Sequence, residues 1–600
     1  SSTTLTREQW LVPFFEGILG YELTYQRMPA EVGGTRFPIS HRAGTDESAP
    51  PVHLEAHEID LDRRHPDRQR RRSPQALMQD YLNRSEHLWG VLSNGERLRL
   101  IRQNPRISRP AYLEFDLRTI FGAGKFDEFA ILYRLCHRTR LPRGVEDASK
   151  CWLEHYFQES IREGGRVREK LRDGVEKALK ILGQGFLSHR ENRALREALR
   201  SGKLTPVGYY QELLRLVYRL LFLMVAEERR MLVPRGLERQ ERIYRELYSI
   251  ERLRAMAERP VKESPHSDLW LGLQAMFRML AYGTNGESPL GIPPLNGDLF
   301  GPEAIQHLEG THLYNHDLLR AIRSLAMFRD SGSLRRVNFA ALDVEELGSV
   351  YESLLDYAPV VREEGGGLVF DLVPGTERKS TGSYYTRPEL VKELVESALV
   401  PVMEERLQRA GPDRAAQEAA ILGMRVCDPA CGSGHFLLEA ARRMGRELAK
   451  VQTGEEEPTP EDFRKAVRAV IEHCIYGVDV NPLAVELCKL ALWIEGHNTG
   501  KPLSFLDHRI RCGNSLVGIF PLDVLEEGIP DEAFKELTGD DKTLARRLRD
   551  NNRREREDLN RGQLRLVLDR PALDREALAE AHLDLARMPQ NTAAEVRAVA

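Results

Sequence analysis

Asp428-Pro-Ala-Cys-Gly-Ser-Gly434 constrains what this chain can fold into more than any other stretch. A short apolar run (Met424, Val426, Cys427) precedes it, and a periodic segment, His435 to Met444, follows. That order predicts a strand, a glycine turn and a helix, the layout in which an open α/β sheet holds a nucleotide-like ligand at its carboxyl edge. Gly432 and Gly434 lack Cβ atoms, so the backbone there can bend sharply and approach a ligand closely. The first turn of the helix presents unpaired N–H groups to whatever lies in the turn. Asp428, at the predicted strand end, sets a carboxylate beside a ligand bearing a cation or hydroxyls. Many structural loops share this look, and the turn gains weight only from further segments in the right order.

Those segments are present. Ile475-Tyr-Gly-Val-Asp-Val-Asn-Pro482 reads as a second strand ending in an acid, Asp479, with a helix from Ala484 to Ile494 behind it. It begins about 40 residues after the first turn, against about 20 in the dinucleotide fingerprint. The excess is a polar, Glu-rich stretch, Thr453 to Glu461, and another predicted helix, Phe463 to His473. An acid at the end of the second strand suits the vicinal hydroxyls of a ribose. Upstream, Gly382-Ser-Tyr-Tyr-Thr-Arg-Pro388 stands just before a helix starting at Glu389, and downstream lies Arg511-Cys-Gly-Asn-Ser-Leu516.

Taken together, these residues resemble the gamma-type adenine-N6 DNA methyltransferases. In that family a G-x-Y-Y-T-P segment, a D-P-A-C-G-S-G turn and a G-x-D/E-x-x-P strand bind S-adenosyl-L-methionine, in the sequential order seen here. The resemblance implies a Rossmann-like methyltransferase domain. Carried over by residue, it implies that Tyr385 and Thr386 lie against the methionine end of the cofactor, Asp428 and Gly432 against its amino acid portion, and Asp479 against its ribose. Tyr384, Pro429, Ala430, Gly434, Phe436 and Val480 complete the implied cofactor-binding set. Asn514 stands where the family often has Asp, and its amide can still accept a hydrogen bond from the adenine amino group. Arg387 replaces a common Pro.

One expected motif is missing. The family's Asn (or Asp)-Pro-Pro-aromatic segment holds the flipped target adenine. Only Asn481-Pro-Leu483 and Pro293-Pro-Leu295 come near it, neither with an aromatic residue. The catalytic residues therefore stay unassigned. After Phe520 the chain turns charged and helical, as in Asp541 to Arg549 and Asp574 to Arg587. In large relatives a helical insertion stands here, with the catalytic motif and a target-recognition domain after it, so the expectation is the front part of a longer enzyme. The resemblance implies direct methyl transfer to the adenine amino group, without a metal.

The amino-terminal part raises a nuclease question. Trp89 to Ile101 resembles the late hairpin of restriction-type nucleases, with Asn94-Gly95 as a tight turn. Upstream, Val52-His-Leu-Glu-Ala-His-Glu-Ile-Asp-Leu-Asp62 is rich in carboxylates of the kind that hold Mg²⁺. Such nucleases need a Glu-x-Lys, yet Lys125 is the only lysine before Lys150 and lies past the hairpin. The reading is a degenerate nuclease-like fold, with His53, His57 and Glu58 as a polar strand face rather than metal ligands. Arg63 to Arg72 carries six arginines against one acid. Arg70, Arg71 and Arg72 are the candidates for phosphate contact, which positions DNA without reading its sequence.

The chain thus reads as a multidomain α/β protein. Residues 1–145 are α+β and nuclease-like, 150–340 a helical connector, 341–525 the methyltransferase domain, and 526–600 a charged helical insertion. Six hundred residues exceed one core. A net charge of −4 gives no whole-chain nucleic-acid signature. Seven cysteines without a Cys-x-x-Cys pair, a polar start, and an apolar maximum (Leu213 to Ala226) broken by Arg215 and Arg219 point to a cytoplasmic protein without a membrane partner. The length and helical middle resemble the methyltransferases of phage-defence systems, DISARM above all, with BREX and fused type IIG restriction–methylation enzymes as near relatives. That likeness implies double-stranded DNA as partner, with other defence subunits, and methylation that marks host DNA as self. Two alternatives stand beside it: a single-chain restriction enzyme with both activities, and a non-catalytic, cofactor-sensing DNA-binding scaffold.

Overall fold

The computed structural model describes residues 2–63, 72–103, 112–233, 237–282, 290, 292, 295, 299–330, 333–340, 342–354, 357–375, 386–497, 506–517, 530–535 and 541–560. The amino-terminal part is built on a six-stranded sheet. Its strands are β1 (Thr24–Tyr25), β2 (His41–Arg42), β3 (Pro51–Leu54), β4 (Trp89–Ser93), β5 (Arg97–Arg102) and β6 (Tyr112–Asp116), in that order. Only β3 and β4 pair in parallel, across a connection that contains helix α1 (Pro74–Arg84); the other neighbours are antiparallel. Asn94 turns β4 into β5 as its chemistry predicts, its Oδ1 accepting from Glu96 N at 3.1 Å and Arg97 N at 2.8 Å. Ser73 caps α1 ahead of Pro74, its Oγ accepting from Ala76 N at 3.2 Å.

Two long helices, α2 (Trp152–Ser188) and α3 (Pro206–Glu228), dominate the middle. The apolar stretch of α3 is buried almost all round, so its arginines must find partners. Arg215 pairs with Glu486 at 2.9 Å, and Arg219 donates to the carbonyls of Leu299 and Gly301. Among the described residues no helix is long and apolar enough to cross a membrane. After α4 (Val344–Leu354) the chain forms a hairpin of β7 (Tyr357–Glu364) and β8 (Gly367–Pro374). The Gly-rich stretch Glu363–Gly367 forms the tip of this hairpin. Leu368, Phe370 and Leu372 alternate inward along β8, and the Phe370 ring fills the space a side chain on Gly183 of α2 would need.

The last layer is a parallel three-stranded sheet of β9 (Val426–Asp428), β10 (Ile475–Asp479) and β11 (Ile510–Cys512), in that order. Helices α5 (His435–Thr453) and α6 (Pro460–Cys474) connect the first two strands, and α7 (Pro482–Glu495) follows the second. Helices α6 and α7 begin where capping chemistry permits, with Thr459 ahead of Pro460 and Asn481 ahead of Pro482. One continuous apolar core joins this layer to the helical middle, where Phe222 of α3 meets Trp493 of α7 with ring centroids 5.2 Å apart.

Candidate functional site

The carboxyl ends of β9 and β10 bring Asp428 and Asp479 to one edge of the parallel sheet. Asp428 pairs in register with Gly477, two residues short of Asp479. The glycine turn then crosses from β9 and is fastened to β10 at two points. Cys431 N donates to Val478 O at 2.9 Å, and Gly432 N donates to Asp479 Oδ2 at 2.8 Å. The other oxygen, Asp479 Oδ1, accepts from Asn481 N at 2.8 Å, while Gly513 N donates to the Asp479 carbonyl. One acid therefore ties the turn, its own strand end and the start of α7. Gly432 and Gly434 both take positive φ, +51° and +93°. A Cβ on Gly434 would lie 2.7 Å from Cys488 Sγ, whereas one on Gly432 would meet nothing within 4 Å. The turn is packed on one side and open on the other.

Asp428 Oδ1 accepts from Ala430 N at 3.0 Å. Burial raises the Asp428 pKa, and the neighbouring Asp479 raises it further, against that one backbone bond. Two carboxylates held this way favour a ligand that brings positive charge or hydroxyl donors. Beside them the edge exposes apolar side chains, Val480 (57% exposed), Leu516 (94%) and Val517 (76%). Ser515 Oγ donates to Pro429 O at 2.8 Å and joins the β11 loop to the turn. Acids, free backbone space at Gly432 and bare apolar surface fit a ligand carrying an ammonium, ribose hydroxyls and a flat base.

The implied cofactor residues fall as follows. Asp428, Pro429, Ala430, Gly432, Gly434, Asp479 and Val480 share this edge, and Phe436 is half-buried at the second position of α5. Asn514 is exposed just past β11, its Oδ1 engaged by Leu516 N at 3.0 Å. Thr386 is half-buried before the helix Pro388–Leu394. Tyr384, Tyr385, Arg70, Arg71 and the helix expected over 574–587 lie outside the described residues; the charged helix expected from Asp541 is present as Lys542–Asn560. Arg72 pairs with Asp80 at 2.9 Å and lies over the Phe37 ring. His53 is buried: its Nδ1 accepts from Ser40 N, so its Nε2 carries the proton and donates to Glu55 Oε1 at 3.0 Å. His57 is exposed, 3.9 Å from Glu58. Among the described residues no group of three or more His, Cys, Asp or Glu is placed to hold a metal. Sequence reasoning overlooked Ser433, His435 and Ser515, for which only their position inside or beside the motifs was a signal.

Residues 413–516 match the family described as MmeI, DNA-methyltransferase domain. The chain is 27% identical over 265 residues to a putative type II restriction enzyme and methyltransferase of Methanocaldococcus jannaschii, covering 38% of this chain and 21% of that protein. It is 31% identical over 143 residues to the adenine-specific methyltransferase PglX of Streptomyces coelicolor, covering 22% and 11%. The match spans about a fifth, or less, of the length of these relatives. A solved structure of the type IIL restriction–modification enzyme MmeI in complex with DNA is similar at a TM-score of 0.32 and 17% identity, over 58% of this chain and 41% of that one. Residues 413–516 thus resemble the DNA-methyltransferase domain of MmeI, and the chain shares sequence with restriction–modification enzymes and with an adenine-specific methyltransferase.

Proposed function

We propose that this chain binds S-adenosyl-L-methionine across the β9–β10 edge and serves an adenine-N6 DNA methyltransferase that marks host DNA as self in a restriction–modification or phage-defence system. The observation that carries it is the pair Asp428 and Asp479 at adjacent strand ends, with the glycine turn fastened between them, inside the segment that matches a methyltransferase domain. When bound, the donor supplies an electrophilic methyl group on a sulfonium. Asp428 would hold its ammonium; Asp479, using lone pairs left over from Gly432 and Asn481, would hold its ribose hydroxyls. Backbone N–H groups of the turn and the half-buried Thr386 would fix the amino acid end. Asn514 and the apolar rim would receive the base. The turn needs little rearrangement to do this, because its backbone is already tied down. Double-stranded DNA is the proposed partner, with Arg70 and Arg71 as phosphate contacts and other defence subunits acting on unmarked DNA.

A second reading, a chain that also cuts DNA, draws support from the relatives whose names include restriction enzymes. Against it stands Glu55, whose carboxylate is held by His53 in a fully buried position. Calorimetry with S-adenosyl-L-methionine tests the main reading. Wild-type protein should give a saturable binding heat that Asp428→Ala removes. A folded wild type with no such heat ends the cofactor assignment. DNA cleavage dependent on Mg²⁺ would instead select the second reading.

A further inference from the structure

The glycine turn is open toward Gly432 and blocked from behind, and what blocks it lies outside the matched domain. Helix α4 passes so close that a Cβ built on Gly348 would sit 2.4 Å from Ser433 Oγ and 2.7 Å from Ser433 Cβ. Its next neighbour is His435 Cε1 at 3.6 Å. Glycine is a poor choice for the middle of a helix, and here the approach of α4 to the turn leaves room for nothing larger. Ser433 is itself buried, and its Oγ lies 3.3 Å from His435 Nδ1 at the first position of α5.

The same helix is anchored one turn earlier. Glu345 takes Arg442 of α5 in an ion pair, and Arg442 donates onward to Glu495 of α7 at 2.8 Å. Helix α4 is therefore locked to α5 and α7, and Gly348 is held against Ser433 rather than free to slide away.

We infer that Gly348 is a positioning residue for cofactor binding: α4 is the backstop that sets the depth of the glycine turn. Asp479 holds the turn from the β10 side through Gly432 N, and α4 holds it from behind through Ser433. With Asp479 and Gly348 fixed, a side chain added at 348 pushes Ser433 toward the open side of the turn at Gly432, where the donor's amino acid end belongs. This rests on the cofactor reading above, and it assigns to residues ahead of the matched domain a positioning part in binding.

The test is calorimetry with S-adenosyl-L-methionine on the full chain, with thermal unfolding of each variant in parallel. Gly348→Ala should weaken binding about tenfold or more, the scale of an overpacked contact. Adding Ser433→Gly, which removes both atoms that the new Cβ would strike, should restore affinity to that of Ser433→Gly alone. A merely structural role predicts a lowered melting temperature without this specific rescue. If Gly348→Ala does not fold, Ser433→Ala with Gly348 in place serves: loosening the contact should weaken binding at unchanged melting temperature. Unchanged affinity in Gly348→Ala, failure of the rescue, or unchanged affinity in Ser433→Ala each overturns the inference. A wild type that binds no donor instead overturns the cofactor reading, and this inference falls with it.

Discussion

Asp479 fastens the turn, and under the proposed function it also holds the ribose; the two roles separate in the ligand-free protein. As a ribose ligand it would leave the empty site unaffected when removed, or even relieve repulsion on Asp428. As a fastener it accepts two backbone hydrogen bonds, from Gly432 N and Asn481 N, each 2.8 Å long. Hydrogen bonds to a charged acceptor contribute about 1.5–3 kcal/mol each, and the half-exposed carboxylate puts these at the low end. Two bonds lost, less the relief of Asp428, leave about 2 kcal/mol on the local opening of the turn. Asp479→Ala without ligand should then raise amide exchange in peptides covering residues 428–436 by roughly thirtyfold, since 1.4 kcal/mol is about a factor of ten. Asp479→Asn keeps one acceptor and should show about half that free-energy change. Peptides from β4 and β5 serve as the internal control. Exchange at the turn that matches wild type in Asp479→Ala would refute the reasoning and leave Asp479 as a ligand residue alone.

Three other outcomes are expected. The Asp428 pKa is raised by burial and by Asp479, and a cationic ligand would lower it. Affinity for S-adenosyl-L-methionine is then full above the raised pKa and falls as pH drops through it; calorimetry across acidic pH checks this, and Asp428→Asn should flatten the dependence. His87 is buried with its pKa lowered to about 4, by desolvation first and Arg42 second, and its Nε2 accepts from Arg42 at 3.1 Å. The unfolded chain binds that proton more readily, so stability is present above pH 6.5 and is lost as pH falls toward 4; urea unfolding of His87→Gln should show a shallower acid loss. Arg442→Ala takes an ion-pair partner from Glu495, which is 7% exposed, and from Glu345. Removing one partner of a buried pair costs about 3–5 kcal/mol, and thermal unfolding should show it, more than for Arg443→Ala at a half-buried position.

Local chemistry was legible wherever it was short-range. The Asn94 turn, the hairpin ending at Ile101, and helices α6 and α7 follow from alternation, helical spacing and capping residues, and they stand where those signals put them. The hairpin β7–β8 is only half legible, because Leu368, Phe370 and Leu372 alternate as a half-buried strand should whereas Tyr357–Glu364 shows no such alternation. Contacts between distant segments were beyond reach. Nothing in Val344 to Leu354 signals that Gly348 must meet Ser433, or that Glu345 will claim Arg442. Similarly, Arg63 to Arg72 reads as one basic run, yet Arg72 is drawn inward by Asp80, which a charge count has no means to foresee.

The Glu-rich stretch between α5 and α6, which makes the spacing to Asp479 so long, has an anatomical use. Glu457 accepts from Asn83 of α1 at 2.9 Å and pairs with Arg446 of α5 at 2.8 Å. The insertion is an adapter plug between two modules. It links helix α1 beside the amino-terminal sheet to α5, while Asp428 and Asp479 sit on the strands it separates. Cousins that carry a different front module should therefore vary most in this plug and least in the strands it separates.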